Sequence, residues 1–416
     1  MKVLWITNVP FPEAVGLLNK ECPRTVPIGG WMMSSAAAII KEGVELTVAS
    51  VSDKVGELTV LQGKDIKYYL IPYGKGNHIV NPAYDSYWRE VVSLEKPDVV
   101  HIHGSEYSHG LSYIQAVGAQ NVVVSLQGMM GECSRHFFDG MSKLDVLLST
   151  SFRDFVKRDT LMANYRDSCR RAEIEKIMLK QVRHLIGRTG WDRETALAIN
   201  PDATYHFCNE TLRDVFYSGQ WQHKGNRQVF VTQAEYPLKG MHQLLKAISM
   251  MEARPHVQVA GFNVVDASSL KKRLKIRSYG LFLRRLIRRY GLKDNVAFVG
   301  PLDAAGMKAA LLDADLFVCP SSVENSSNSI GEAQLLGVPV IASRRGGNPS
   351  MVVDRQTGFL YDFYDVAELA SLMENVLSQD CAALSTREVE VAMVRHDPGT
   401  NALRLLTIYK SMVQER

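Results

Sequence analysis

The sequence lacks paired cysteines. Its six cysteines (Cys22, Cys133, Cys169, Cys208, Cys319 and Cys381) stand singly, with no C-x-x-C. That argues against a disulfide framework or a zinc site and fits a reducing compartment. No apolar run approaches the ~20 residues of a membrane span. The opening MKVLWITNVPFPEA is apolar for only a few residues and reads as a strand, not a secretory signal. Charge of one sign is also scarce: 48 basic against 44 acidic residues give a net +4, too little to argue for nucleic acid. These absences point to a cytoplasmic protein, at most peripheral on the inner face of a membrane.

What is present is enough apolar material for real cores. The chain has 416 residues, 46% of them hydrophobic and 22% charged, which suggests two domains of roughly 200 residues. Short apolar runs alternate with helical patterns. Strands are expected at 2–7, 44–51, 67–73, 98–104 and 121–128, then at 229–235, 257–262, 296–300, 315–321, 339–343 and 358–362. This alternation implies α/β architecture with parallel sheets covered on both faces. We expect a first Rossmann-like domain over 1–219, carrying a basic, mostly helical insertion at about 130–200. WQHKGNRQ (221–228) reads as a linker, 229–395 as a second Rossmann-like domain, and 396–416 as a C-terminal helix able to pack back on the first domain.

The stretch ENSSNSIGE (324–332) interrupts two apolar runs with two acids and five Ser or Asn residues. It follows the strand DLFVCP, and in parallel α/β sheets ligands bind beyond the carboxyl ends of strands. A helix starting within Ser326–Ile330 would present unpartnered N–H groups and the positive end of its dipole, a seat for phosphate. Glu332, placed in the first turn, suits a ribose diol, and Glu324, on the loop, suits the hydroxyls of a sugar beyond the phosphate. The plainer alternative is an N-cap at Asn328 or Ser329 with a dipole-favoured Glu332, which leaves Glu324 unexplained.

Here the chain resembles the retaining glycosyltransferases of family 4, whose two Rossmann-like domains face a cleft in the GT-B fold. The resemblance rests on PSSVENSSNSIGEAQLLGVPVIAS, read as the glutamate–seven–glutamate motif, and on GGNPSMVVDRQTGFLY. It extends to LKGMHQLLKAI, VQVAGF, NVAFVGPL, PDVVHIHG and the opening GGW. It implies that Lys239 contacts the donor diphosphate, Glu324 the transferred sugar and Glu332 the ribose. Asn325, Ser326, Ser327, Asn328 and Ser329 would line the donor site, with Gly29 and Gly30 on its other side. The chain departs from the family where a Gly-Arg pair is usual, holding Thr232, Gln233 and Ala234 instead; Arg188 is a candidate replacement cation. Where a His often follows the fourth strand, this chain has Gln127, which with Gly128 and His103 would face the acceptor.

Other features have plainer readings. His101 and His103 share one face of a strand; a metal pair is one reading, and His103 lining the cleft over a core His101 is the favoured one. Asp313 and Asp315 form a D-x-D at the amino end of a strand, read as helix-to-strand punctuation, not a metal site. Asn325-Ser-Ser is a glycosylation sequon, without meaning in a cytosolic chain. KKRLKIRSYGLFLRRLIRRYG (271–291) has nine basic residues among apolar ones. It is either a solvated helix or a contact with an anionic membrane. The expected activity is metal-independent, retaining transfer from a nucleoside-diphosphate sugar to a glycan or lipid-linked glycan, with no cofactor and with catalytic roles for Glu324 and Lys239. The rivals are an inactive sugar-binding homologue that scaffolds glycan assembly and a sugar-nucleotide 2-epimerase.

Overall fold

The apolar runs become strands whose successive side chains enter opposite faces of a sheet, which is why they read as unbroken runs. A computed structural model describes residues 1–19, 30–73 and 80–415. The first sheet contains β1 (Lys2–Thr7), β2 (Glu45–Ser52), β3 (Thr59–Gln62), β4 (Lys67–Pro72), β5 (Val99–His103), β6 (Val122–Ser125), β7 (His184–Gly187) and β8 (Thr204–Phe207). Their order is β3-β4-β2-β1-β5-β6-β7-β8, parallel except at the antiparallel β3–β4 edge. Val3 and Trp5 enter one core cluster while Leu4 and Ile6 enter the other. The helix Pro398–Gln414 supplies Leu405, Leu406, Tyr409 and Met412 to the Trp5 side. Tyr409 accepts a hydrogen bond from Trp5 Nε1 at 3.0 Å and bonds His101 Nδ1 at 2.6 Å.

The second sheet is wholly parallel: β9 (Gln228–Thr232), β10 (His256–Ala260), β11 (Val296–Gly300), β12 (Leu316–Cys319), β13 (Val340–Ser343) and β14 (Phe359–Tyr361), in the order β11-β10-β9-β12-β13-β14. In both sheets the strand order reverses once at the centre, between β1 and β5 and between β9 and β12. Such reversals open a crevice at the carboxyl ends of the two strands concerned.

Two compact units result: residues 1–131, 169–213 and 396–416, and residues 132–168 and 214–395. This corrects the expected boundaries. The 130–200 segment is no single insertion. Its first part belongs to the second unit because long-range bonds hold it there: His242 Nε2 to Asp139 O (2.9 Å), Lys246 Nζ to Gly140 O (2.8 Å) and Ser278 Oγ to Asp154 (2.7 Å). Its second part holds β7, and β8 follows just beyond it, both strands the sequence reading missed. Nor is 221–228 a loose linker, since Trp221 is buried and bonds the carbonyls of Leu336 and Ala314.

Candidate functional site

In the second unit, the loops after β9 and β12 meet at the strand-order reversal. The turn Pro237–Lys239 ends at Gly240, whose φ of 65° is left-handed. A Cβ there would lie 1.7 Å from the Pro320 carbonyl oxygen, so only glycine lets the two backbones touch. Ser322 N donates to Leu238 O at 2.8 Å across the same seam. On the other side, Gly346 (φ 57°) presses on the Glu324 backbone, and Gly347 N donates to Glu324 O at 2.8 Å.

This seam sets two side chains face to face. Lys239 Nζ lies 2.6 Å from Glu324 Oε1, and Ser321 Oγ donates to the same oxygen at 2.8 Å. Lys239 is 20% and Glu324 17% exposed, so the pair is sheltered but reachable. Burial works to lower the Lys239 pKa; the Glu324 carboxylate more than offsets it and holds the ammonium above its usual value. The ring of Tyr236 lies 5.8 Å from the ammonium. Gln233 takes a left-handed φ of 62°, costly for a residue with a Cβ, at the position where the resembled family has the Gly of its Gly-Arg pair. Ala234, in place of the Arg, is buried.

The helix after the loop runs Asn328–Leu336, with Ser327 as N-cap and no side chain capping it. The Ser327 side chain thus accepts from none of the first N–H groups, of which Ile330 N donates to Ser327 O at 3.0 Å. The helix begins at Asn328, inside the window the sequence suggests, after an extended Ser327 (φ −69°, ψ 112°). Glu332 consequently stands fifth in the helix, past its first turn, and is buried. Asn325 is buried too; Ser326 Oγ lies 3.3 Å from Met351 Sδ, and Ser329 Oγ 3.3 Å from Thr232 Oγ1. Asp313 and Asp315 lie at the amino end of β12. Asp315 accepts from the backbone of Lys224, Gly225 and Arg227, and Asp313 pairs with Lys224, so both carboxylates hold the chain entering β9.

The first unit has its own polar group at the carboxyl ends of β5 to β8. Arg188, buried after β7, reaches Glu210 Oε2 at 2.5 Å and donates to Leu126 O (3.0 Å) and Gln127 Oε1 (3.2 Å). Gln127 Nε2 donates to Glu210 Oε1 at 2.7 Å. Arg188 is thus neutralised within its own unit and is not a spare cation. His103 is buried, stacked on His101 (centroids 3.9 Å) and edge-on to Trp5 (4.3 Å). Burial, then the neighbouring His101 and His109, hold its pKa well below the usual histidine value, so its ring is neutral. Trp5, Ser35, His103, Arg188, Asn209 and Glu210 are among the residues around a small pocket. Gly128 and Gly104 flank the Glu106 carboxylate, which a Cβ on Gly104 would meet at 2.3 Å. Gly30 opens the helix Gly30–Lys41, while Gly29 lies outside the described residues.

Sequence reasoning missed Ser321, Glu210 and Glu106, all just past strand ends. The rule that sent attention to Glu324 applied equally to them. The basic stretch also differs from expectation: Ile276, Phe282, Leu283 and Leu286 are buried, and Arg285 bonds Leu148 O and Ser149 Oγ. Most of its apolar content is core. No described helix is long and apolar enough to cross a membrane.

Residues 216–390 match the family model described as Glycosyl transferases group 1. The chain is 36% identical over 110 residues to a D-inositol 3-phosphate glycosyltransferase of Mycolicibacterium smegmatis, covering 26% of this chain and 25% of that protein. It is 37% identical over 146 residues to a D-inositol 3-phosphate glycosyltransferase 2 of Catenulispora acidiphila, covering 34% and 33%. The match thus spans about a quarter to a third of the length of these relatives. Among solved structures, sucrose-phosphate synthase from Thermosynechococcus elongatus superimposes with a TM-score of 0.73 at 15% identity, covering all of both chains. Anabaena HepE in complex with UDP-glucose does so at 0.64 and 16%, covering 99% of this chain and 100% of that one. The two Rossmann-like domains are those of the GT-B fold.

Proposed function

We propose, on the premise that residues 216–390 form a group 1 glycosyl transferase domain, that this chain transfers a sugar from a nucleoside-diphosphate sugar to a glycan or lipid-linked glycan, with retention and without a metal. The observation that carries this is the sheltered Lys239–Glu324 pair at the strand-order reversal, ahead of a helix whose N-terminus no side chain caps. A diphosphate is the ligand such a place suits: it meets an ammonium and open N–H groups together. Lys239 then stabilises charge developing on the leaving diphosphate, and Glu324, released from that ammonium, orients sugar hydroxyls. Asn325, Ser326, Ser327, Asn328 and Ser329 line the donor seat, and Glu332 takes the ribose. Both D-x-D carboxylates are engaged in holding the entry to β9, which supports a metal-free donor site. The HepE complex with UDP-glucose supports a nucleotide-sugar donor on this fold.

In the first unit, Gln127, His103 and Gly128 face the acceptor. Neutral His103 and doubly held Gln127 suit hydroxyl recognition better than proton abstraction. We place the acceptor on a lipid carrier at an anionic membrane face, a reading that the basic stretch 271–291 supports through its net charge.

The test is a thermal-shift screen of nucleoside diphosphates and nucleotide sugars, then donor turnover with and without EDTA. A ligand at 100 times its dissociation constant adds about 2.7 kcal/mol to stability, so a clear shift is expected. No shift with any nucleotide refutes the donor site. Loss of turnover with EDTA, restored by Mn²⁺, refutes metal independence.

A further inference from the structure

The helix Lys143–Leu148 buries none of its residues, yet it carries Leu144, Leu147 and Leu148. The next helix, Phe152–Lys157, exposes Phe155 and Val156. These five side chains are between 59% and 71% exposed. Both helices are held from one side. Arg285 donates to Leu148 O, Ser278 Oγ donates to Asp154, and Arg277 Nε lies 3.5 Å from Asp159. The short helix Leu270–Arg273 precedes the helix Ser278–Arg289 that carries Ser278 and Arg285 and, with the residue after it, exposes Leu270 and Leu274. A run of large exposed apolar side chains on one unit marks a binding surface, since isolated ones are normal and clustered ones are not.

The charge around these residues selects the partner. Residues 142–160 and 266–289 hold thirteen basic and four acidic residues. The acids are engaged: Asp145 in the Ser142 cap, Asp154 and Asp159 with Arg153, and Asp266 with Lys272. Lys143, Lys157, Arg158, Lys271, Arg273 and Lys275 are exposed and form no ion pair among the described residues. Two copies of this face would bring like charges together. An anionic bilayer instead accepts both features, apolar side chains at the acyl boundary and cations among the headgroups.

We infer that helices Lys143–Leu148 and Phe152–Lys157, with the 270–275 turn, form a monotopic docking face for an anionic membrane. The inference deepens the lipid-linked acceptor reading and rests on it for its purpose, though not for its geometry. It also moves the membrane contact: the inserting residues are on 143–157, and the basic stretch contributes 270–275, while Phe282, Leu283 and Leu286 of its later half pack inside the domain.

The test is co-sedimentation with vesicles of phosphatidylcholine and phosphatidylglycerol in equal parts, against phosphatidylcholine alone. The wild-type chain is expected to bind the anionic vesicles at low salt and to release at high salt. The combined variant Leu144→Ser, Leu147→Ser, Phe155→Ser and Val156→Ser should bind at least about tenfold more weakly. So should Lys271→Ser, Arg273→Ser and Lys275→Ser combined. Both variants should keep the nucleotide-induced thermal shift of the wild type. The inference is overturned if the wild type stays in the supernatant at low salt, or if the four-site variant binds as the wild type does. It is also overturned if that variant dissociates an oligomer while keeping vesicle binding, which assigns the face to a second copy. A wild type that binds vesicles but shows no nucleotide shift refutes the transferase reading alone.

Discussion

Replacing Gly240 by alanine should disable the proposed donor site without unfolding the domain. The added Cβ would meet Pro320 O at 1.7 Å, against the 3.4 Å at which ordinary contact begins. One backbone must therefore recede by about 1.7 Å, or the turn must abandon its φ of 65°. Keeping the left-handed φ costs an alanine ~1–2 kcal/mol. The functional cost is larger. The Lys239 turn and the Glu324 loop are joined at this seam, and a recession of that size would open their 2.6 Å pair to about 4.3 Å, beyond the ~4 Å at which an ion pair still counts. A displacement of ~1 Å at a positioned group can cost ~10²-fold in rate. We therefore expect Gly240→Ala to lower donor turnover about a hundredfold, with denaturant midpoint reduced but cooperative unfolding retained. Turnover within about twofold of wild type in a folded variant would show that the seam does not position Lys239, and the geometric argument would fail.

Lys239→Ala should reduce turnover strongly and leave Glu324 held by Ser321 alone; normal turnover would move the phosphate cation elsewhere. Glu332→Ala should weaken nucleotide binding by about 1–3 kcal/mol if its carboxylate receives the ribose, and calorimetry showing unchanged affinity in a folded variant would remove that role. Glu175 is buried and accepts from Ser105 Oγ (2.6 Å) and Gly131 N (3.1 Å). Burial dominates and raises its pKa from 4.5 to about 8. The unfolded chain releases this proton first, so stability should fall as pH rises from about 4.5 to about 8, by at most ~1.4 kcal/mol per pH unit. Urea midpoints across that range should show a shallower slope in Glu175→Gln, with Glu106 and buried Glu388, whose pKa values are also raised, keeping the remainder; an unchanged slope would remove the role of Glu175.

Much of the fold was legible because parallel strands buried on both faces must be apolar throughout. KVLWIT, DVVHIH and DLFVC could hardly be anything else. The strands that escaped are short or half exposed. Thr204–Phe207 has no fully buried residue, and β7 is four residues inside a basic, helix-rich stretch. Domain membership escaped for a different reason: what ties 132–168 to the second unit is a set of bonds spanning more than 100 residues, such as His242 to Asp139. At the site, strand-end position points to Glu324 and the family resemblance to Lys239, each separately. Their pairing depends on two glycines whose backbones touch other loops, and no residue pattern states that. Arg188 was chosen as an unclaimed cation, and only the fold reveals Glu210 beside it.

The Trp5–Tyr409–His101 bonds have a consequence for synthesis. The first unit's opening strands are made early, but the helix that covers one face of their sheet ends at Gln414. At ~5–20 residues per second, the ribosome needs roughly 15–60 s to travel from β6 to Tyr409. For that interval the nascent sheet carries Val3, Trp5, Val48 and Leu70 without their partners from the last helix. Of the two units the first is therefore begun earlier and completed later, and a transcript cut between codons 395 and 409 encodes the whole second unit while leaving the first unfinished.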